Sequence, residues 1–245
     1  MTVYWLEQSE ADVPFTNDWL SPGEARKLET LRFPKRRTDW RLGRWTAKCA
    51  LARYANCRRG LNEIEILSAA SGAPQVAGSD PPAISLSHRG GLACCAISPD
   101  AIDLGCDLEA IEPRSPAFLS CYFTAEEEQS IGLAAPSEQP RLAALLWSAK
   151  ESALKALGCG LRADTRSVAV KDPDRLLPST PDPEIWNPLR VCHNGGDFTG
   201  WWRSAGGFVR TMVAFPEPAV PVLLRHVQPR EATNYRSRHI RLISW

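Results

Sequence analysis

The sequence of 245 residues predicts an α+β protein built from two similar halves. Two helical patterns are followed by strand patterns before residue 110, and the same order returns after residue 111. Hydrophobic residues make up 44% of the chain and charged residues 23%, which is typical of a chain that folds around its own cores. The predicted halves, residues 1–110 and 111–245, are each long enough for a separate core.

The first half opens with two predicted helices. Residues 21–33 form the first, because Ser21 is a suitable N-cap, Pro22 lies in the first turn and apolar residues follow at helical spacing. Pro34 ends it, and a second helix is predicted from about Arg37 to Tyr54. The second helix has an apolar side and a separate stripe of basic residues: Arg37, Arg41, Arg44 and Lys48.

Three strands are predicted next. Ile84–His88 and Leu92–Ser98 flank the turn residues 89–91 and form a hairpin, and Ala101–Glu109 follows as a third strand. In the second half, helices are predicted over residues 124–132 and 138–158, with strands at 167–171 and 208–215. The last 30 residues are basic and irregular, and the pattern gives them no role.

Charge and composition narrow the classes of function. The formal net charge is +1, so no overall field attracts nucleic acid or anionic membranes. The eight cysteines form no Cys-x-x-Cys pair, which argues against zinc and redox motifs. The acidic N-terminal segment differs from a secretory signal, and no run reaches the roughly 18 apolar residues of a membrane span. We therefore expect a cytoplasmic chain with reduced thiols.

The third strand carries a pair of carboxylates. Side chains alternate along a strand, so Asp107 and Glu109 are neighbours on one face. Two adjacent carboxylates repel each other unless a cation lies between them, and a magnesium ion with phosphate oxygens in its shell suits such a pair. An amphipathic edge strand with a solvated polar face is the alternative interpretation, and this segment alone favours it.

The last long helix adds a third acidic residue to the candidates. Within Trp147-Ser-Ala-Lys-Glu-Ser-Ala-Leu-Lys155, Glu151 and Lys155 are four residues apart and Lys150 lies beside Glu151. They could form an ordinary surface ion pair worth a few tenths of a kcal/mol. They could instead supply a metal carboxylate, with Lys150 and Lys155 binding phosphate.

Ser87 and His88 lie at the end of the first hairpin strand. Acyl transfer by a Ser–His pair is one interpretation, but adjacent strand residues point to opposite faces and no Gly-x-Ser-x-Gly elbow is present. Donation from both side chains to a phosphate is the more plausible role.

Taken in order, Ser87-His88, Gly105-x-Asp107-x-Glu109 and Trp147-x-x-Lys150-Glu151-Ser-x-x-Lys155 resemble the Sfp-type 4'-phosphopantetheinyl transferases. The resemblance extends through most of residues 20–170. It implies a monomer of two halves related by a pseudo-two-fold axis, with the active site in the cleft between them. It also implies transfer of phosphopantetheine from coenzyme A to a serine of an acyl or peptidyl carrier protein.

The resemblance further implies roles for individual residues. Asp107, Glu109 and Glu151 would hold magnesium against the pyrophosphate, and Lys155 would contact it, with Lys150 assisting. Glu151 or a water would be the base for the serine hydroxyl. At the nucleotide end of coenzyme A, Ser87 and His88 would bind the 3'-phosphate or neighbouring oxygens, and Arg41 or Arg44 would supply further charge.

Two departures from the family pattern concern the grip on coenzyme A. A family Gly-Lys-Pro is Gly72-Ala73-Pro74 here, and a family Ser-His-Ser is Ser87-His88-Arg89. The hypothesis is that Arg89 supplies the cation missing at position 73. The choice among fatty-acid, polyketide and nonribosomal-peptide carriers stays open.

Two other classes of function stay open as alternatives. One is a carrier-binding relative without catalysis, against which the intact carboxylates and Lys155 argue. The other is a nucleic-acid binder that uses the basic stripe with Trp40 and Trp45, against which the near-neutral charge and the acidic site argue.

Overall fold

The structure is a computed structural model that describes residues 1–56, 60–178 and 182–224. It is a mixed α+β protein, as predicted. Its contacts group the chain into two compact units. The N-terminal unit comprises Val3–Ala101 and the described residues from Val222 onward, and the C-terminal unit comprises Met1–Thr2 and Ile102–Pro221. The strand of the paired carboxylates therefore groups with the chain that follows it, and a division after residue 110 stays a prediction.

Helices and strands follow one another along the described residues without a regular alternation. In chain order they are β1 (Tyr4–Ser9), α1 (Pro22–Thr30), α2 (Pro34–Tyr54), β2 (Ile66–Ser68), β3 (Pro74–Val76), β4 (Ala83–Arg89), β5 (Leu92–Ser98), β6 (Asp103–Ala110), α3 (Pro116–Tyr122), α4 (Ala125–Leu133), α5 (Gln139–Ala156), β7 (Val168–Val170), β8 (Asn187–His193), β9 (Gly196–Ala205), β10 (Phe208–Phe215) and β11 (Val222–Leu223). Short 3-10 turns, such as Leu61–Glu63 and Thr165–Ser167, connect several of them. Among the described residues no helix is both long enough and apolar enough to cross a bilayer.

The N-terminal unit is a four-stranded sheet covered by α2. The strand order is β11-β1-β5-β4, with β1 and β11 parallel and the other neighbours antiparallel. The α2 helix packs on β1 and β5 through Ala47, Ala50 and Leu51, which are buried against Leu6 and Ile97. The predicted hairpin of β4 and β5 is confirmed, with Arg89 opposite Leu92 in its register.

The C-terminal unit is a five-stranded antiparallel sheet on which α5 lies. The order is β6-β10-β9-β8-β7, so β6 is an edge strand paired with β10. The α5 helix packs on β6 and β10, and its apolar side is buried almost completely. This packing fixes the position of α5 relative to the carboxylates of β6.

Predicted helix boundaries differ from the observed ones at their ends. The first helix stops at Thr30 rather than at residue 33, because Leu31 has an extended backbone with φ −81° and ψ 111°. The second begins at Pro34 rather than at Arg37, since proline lacks the N–H that the first helical turn leaves unpaired. Of the basic 30-residue tail, only residues up to 224 lie among the described residues.

Each unit contains the same buried ion pair between a helical lysine and a glutamate. In the N-terminal unit Lys48 of α2 pairs with Glu24 of α1. In the C-terminal unit Lys150 of α5 pairs with Glu127 of α4, with Nζ 2.8 Å from Oε2. All four side chains are at most 3% exposed, so each pair is shielded from solvent.

The surroundings of the two ion pairs also correspond. Each glutamate closes a capping box at the start of its helix, with Ser21 or Thr124 as the N-cap. The other carboxylate oxygen accepts a hydrogen bond from a strand amide, Ile66 in one unit (3.1 Å) and Val170 in the other (2.9 Å). The two units thus repeat one local motif of two helices and a strand, although no sequence repeat is readable.

Candidate active site

The paired carboxylates of β6 lie on the strand face that meets α5. Leu104, Cys106 and Leu108 are buried on the opposite face, as the alternation predicts. Asp107 is itself 5% exposed, so the polar face is not a solvated edge. A Cβ atom built on Gly105 would lie 1.7 Å from the Ser152 carbonyl oxygen. Only glycine therefore lets α5 approach the strand so closely beside Asp107.

A buried cluster of hydroxyl groups holds α5 against the sheet. Thr211 of β10 is the register partner of Asp107. Its Oγ1 is 2.9 Å from the Ser148 hydroxyl and 2.6 Å from the Ser152 hydroxyl. Because all three hydroxyl-bearing residues are fully buried, these contacts determine which face of α5 meets β6. Glu151 is adjacent to Ser152, and Lys155 follows one turn later.

Lys155 spans the gap between α5 and β6. Its Nζ lies 2.8 Å from Asp107 Oδ1 and donates a hydrogen bond of 3.0 Å to the Cys106 carbonyl oxygen. Burial alone would lower the pKa of Lys155, but the Asp107 carboxylate and then Glu151 outweigh it, so the pKa is raised. Lys155 is therefore a permanent cation at this position.

The Glu151 carboxyl group is coupled to both carboxylates of β6. Its pKa is raised to about 7, first by burial and then by the negative charge of Asp107. Lys155 lowers this pKa and Glu109 raises it. The Glu151 carboxyl group therefore senses the charge of both carboxylates of β6, and it titrates near neutral pH.

The donor set agrees in chemistry with a hard divalent cation. Magnesium prefers carboxylate oxygens, and a cation at this cluster would relieve the repulsion that raises the pKa of Glu151. As placed, however, no three or more His, Cys, Asp or Glu side chains of the described residues are arranged to hold a metal ion. Asp107 contacts Lys155, and Glu109 contacts Arg114. The three carboxyl groups are therefore chemically suited to a magnesium ion, but their oxygens would have to move closer together to bind it.

The segment that carries these residues is similar to known proteins. Residues 103–193 match the 4'-phosphopantetheinyl transferase superfamily. The match begins at β6 and includes Asp107, Glu109, Glu151 and Lys155, so the resemblance predicted from the motifs is confirmed at the level of the superfamily.

Two individual proteins can be compared with the chain. A 4'-phosphopantetheinyl transferase from Bacillus subtilis is 31% identical over 100 residues, which is 40% of this chain and 44% of that relative. The matched stretch thus spans less than half of the relative's length. The crystal structure of Thermotoga maritima holo-[acyl-carrier-protein] synthase covers 50% of this chain and 74% of its own, with 21% identity and a TM-score of 0.34. A TM-score this low does not establish a shared arrangement of elements.

Lys150, which was predicted to assist coenzyme binding, is engaged inside its own unit, and its contact with the coenzyme stays a prediction. Its side chain is fully buried, and besides pairing with Glu127 its Nζ donates to the carbonyl oxygens of Thr165 (3.0 Å) and Val168 (2.5 Å). Burial lowers the pKa of Lys150, while Glu127 raises it. These three partners give the ammonium group a structural role within the C-terminal unit.

The basic stripe of α2 is also engaged within its own unit. Arg44 is 9% exposed, lies 3.9 Å from the Glu24 carboxylate and stacks over the Trp40 ring at 5.2 Å. Arg41 donates to the carbonyl oxygens of Pro14, Phe15 and Thr16. Both arginines therefore stabilise their own unit, and their predicted contact with the nucleotide stays a prediction.

The other predicted coenzyme residues lie at the end of β4 in the N-terminal unit. Ser87 is buried, whereas His88 and Arg89 are exposed on consecutive positions of the strand. The exposed pair is therefore more accessible than Ser87 to a ligand from solution. The contact of these residues with the coenzyme stays a prediction.

The sequence patterns did not predict one basic residue that contacts the carboxylate cluster. Arg114 lies in the proline-rich connection after β6, and its Nη2 is 2.8 Å from Glu109 Oε2. No helical or strand period relates the two, so spacing could not predict their contact. An arginine five residues after the strand carboxylate was the available signal.

Proposed function

We propose that the chain transfers 4'-phosphopantetheine from coenzyme A to a serine hydroxyl of an acyl or peptidyl carrier protein, with magnesium as the cofactor. The observation that carries the proposal is the coupling of Glu151 and Lys155 on α5 to Asp107 on β6, within the segment that matches the superfamily. The Bacillus subtilis relative is named a 4'-phosphopantetheinyl transferase, which supports the same reaction.

In this reaction the serine oxygen attacks the β-phosphorus of coenzyme A. The bond from that phosphorus to the oxygen bridging it to the α-phosphorus breaks, and adenosine 3',5'-bisphosphate leaves with the electron pair. Negative charge grows on the bridging and non-bridging oxygens as the bond breaks. Lys155, whose pKa is raised, offers a fixed ammonium group to stabilise that charge.

Asp107, Glu109 and Glu151 would hold the magnesium ion. When bound, the ion supplies Lewis-acid stabilisation of the pyrophosphate charge. The protein's contribution is to keep three carboxyl groups and one ammonium group in a largely buried cluster, where charge interactions are stronger than in water.

The proton of the serine hydroxyl needs an acceptor. Glu151 has a pKa of about 7 before any cation binds, which is near the optimum for a general base at neutral pH. A cation on the same carboxylate would lower that pKa, so a water molecule that relays the proton to Glu151 is the alternative route.

The far end of coenzyme A carries a 3'-phosphate that needs cations. We assign this contact to the exposed His88 and Arg89 at the end of β4, with Ser87, Arg41 and Arg44 as further candidates. Arg89 replaces a cation that the family pattern has at the position of Ala73.

The test is incubation of the chain with coenzyme A, magnesium and a panel of apo carrier proteins from fatty-acid, polyketide and nonribosomal-peptide systems. The expected result is a mass gain of one phosphopantetheine group on at least one carrier, absent when its acceptor serine is changed to alanine. No mass gain on any carrier would refute the proposed transfer.

A further inference from the structure

Glu109 is held by a side chain that the recognised motifs do not include. Arg114 Nη2 lies 2.8 Å from Glu109 Oε2, and Nη1 lies 3.2 Å from Glu112 Oε1. Arg114 and Glu109 are both 13% exposed, whereas Glu112 is 45% exposed. The contact with Glu109 is therefore shielded from water, and the contact with Glu112 is a surface interaction of little energy.

Arg114 is also held from its other side by an aromatic cluster. Its guanidinium carbon lies 5.0 Å from the centroid of the Phe118 ring. The Phe118 ring in turn makes an edge contact with Trp147 of α5, with 5.1 Å between centroids. Packing thus runs from α5 through two rings to the guanidinium and then to the Glu109 carboxylate. A side chain held at both ends keeps a narrow range of orientations.

The cluster gives each strand carboxylate its own cation. Lys155 contacts Asp107 from α5, and Arg114 contacts Glu109 from the connection after β6. The two cations differ in what they can fix. An ammonium group acts as a point charge, whereas the planar guanidinium fixes the orientation of a carboxylate through directed N–H bonds.

We propose that Arg114 is a positioning residue that fixes the orientation of Glu109 so that this carboxylate can bind a divalent cation together with Asp107 and Glu151. The inference rests on the proposed function, because it assumes that the three carboxylates are metal ligands. Arg114 itself need not contact the substrate. Loss of such a partner behind a metal ligand typically costs about 10–100-fold in metal affinity.

The test measures Mn²⁺ binding to the purified chain by electron paramagnetic resonance, without coenzyme or carrier. Arg114→Gln should weaken Mn²⁺ binding by about tenfold or more. Arg114→Lys should recover only part of the loss, since it restores the charge without the planar fork. Glu112→Gln is the matched control, because it removes the exposed partner of the same arginine, and it should stay within about twofold of the parent.

A transfer assay adds a measurement that would not change if Arg114 had only a structural role. Arg114→Gln should raise the magnesium concentration for half-maximal rate by a similar factor, while kcat at saturating magnesium stays within about threefold of the parent. General damage to the fold would instead lower kcat and the melting temperature together. If Arg114→Gln does not fold, Phe118→Leu replaces it and should weaken Mn²⁺ binding about threefold by loosening the arginine.

The outcomes separate this inference from the proposed function. Unchanged Mn²⁺ affinity in folded Arg114→Gln, or in Phe118→Leu as its replacement, overturns the role of Arg114 and leaves the transferase untouched. A parent chain that transfers the group but binds no Mn²⁺ overturns the ligand set and the role of Arg114 together. Weakened Mn²⁺ binding in a chain that modifies no carrier supports Arg114 and counts against the transferase alone.

Discussion

At the scale of single residues, the candidate site combines one permanent cation with one carboxyl group that titrates near neutral pH. Lys155 is kept charged by Asp107, and Glu151 has its pKa raised to about 7 by burial and by the strand carboxylates. These two groups were predicted as site residues from the resemblance of their motif, whereas their spacing on a helix also suited an ordinary surface ion pair. The spacing could not predict the pKa of either group, because each pKa depends on how closely α5 approaches β6.

Lys155→Gln should lower kcat/KM for transfer by about 100-fold or more, because one donor to the developing phosphate charge is lost. The control is Lys171→Gln, which makes the same substitution at an exposed lysine of the same unit and should leave the rate within about twofold. The transfer rates of the parent and of both variants are measured by mass spectrometry. Equal rates in the parent and Lys155→Gln would remove Lys155 from the reaction.

The raised pKa of Glu151 predicts a pH dependence of stability. In the folded chain this carboxyl keeps its proton up to a pKa of about 7, compared with 4.5 when unfolded. Between these values the folded state binds more protons than the unfolded state, so this group's contribution to stability declines as pH rises through the window. Urea unfolding at pH 5 and pH 7.5, without divalent cations, should show a larger decline in the parent than in Glu151→Gln. A decline of the same size in both would contradict the raised pKa.

At the scale of elements, the contact between α5 and β6 is what assembles the site. Period-2 alternation correctly made Asp107 and Glu109 neighbours, and helical spacing correctly put Glu151 and Lys155 on α5. The burial of Lys150 was not predictable, because its partner Glu127 comes from a different helix and reaches it only when α4 packs on α5. The contact of Arg114 with Glu109 depends on an irregular connection, for which no period exists.

Gly105→Ala tests the close approach of α5 to β6. The added methyl group would overlap the Ser152 carbonyl oxygen, so we expect a loss of about 3 kcal/mol or more in unfolding free energy, together with reduced transfer. Gly132→Ala is the matched control, because a methyl group there meets nothing within 4 Å on helix α4. It should be neutral or stabilise by about 0.5–1 kcal/mol. Denaturant titration of both variants measures the difference, and equal stabilities would refute the steric explanation.

At the scale of the whole chain, the two units repeat one buried lysine–glutamate ion pair. In each unit the glutamate helix has a hydroxyl side chain as its N-cap, and the glutamate accepts a hydrogen bond from a strand amide. The two predicted α+β halves agree with this repeat in local structure. The repeat is invisible in the sequence because only a lysine, a glutamate and a hydroxyl N-cap persist at equivalent places. It also explains the role of Lys150, since Lys48 performs the same task in the other unit.

Lys150→Met should therefore act on stability and not on coenzyme binding. Leaving Glu127 buried without its cation should cost about 3–5 kcal/mol in unfolding free energy, with the KM for coenzyme A unchanged in the folded fraction. Lys48→Met, which leaves Glu24 in the same condition, is the matched variant and should lose a similar amount. A raised KM without loss of stability in Lys150→Met would restore this lysine to the coenzyme site.

The Arg89→Ala variant tests whether the N-terminal unit contributes to the binding of coenzyme A. Arg89→Ala should raise the KM for coenzyme A about tenfold, the value of a charge-assisted hydrogen bond, and change the KM for dephospho-coenzyme A much less. Arg175→Ala, at an arginine whose side chain is 81% exposed, serves as the control and should change neither. Equal effects of Arg89→Ala on both substrates would show that Arg89 does not bind the 3'-phosphate.

The most direct measurement of the central claim counts both products of one reaction. The purified chain is incubated with coenzyme A, magnesium and an apo carrier, and the phosphopantetheinylated serine and the released adenosine 3',5'-bisphosphate are quantified together. We expect one nucleotide released for each serine modified, and neither product with Asp107→Asn. Nucleotide release without serine modification, or full activity in Asp107→Asn, would contradict the proposed transfer.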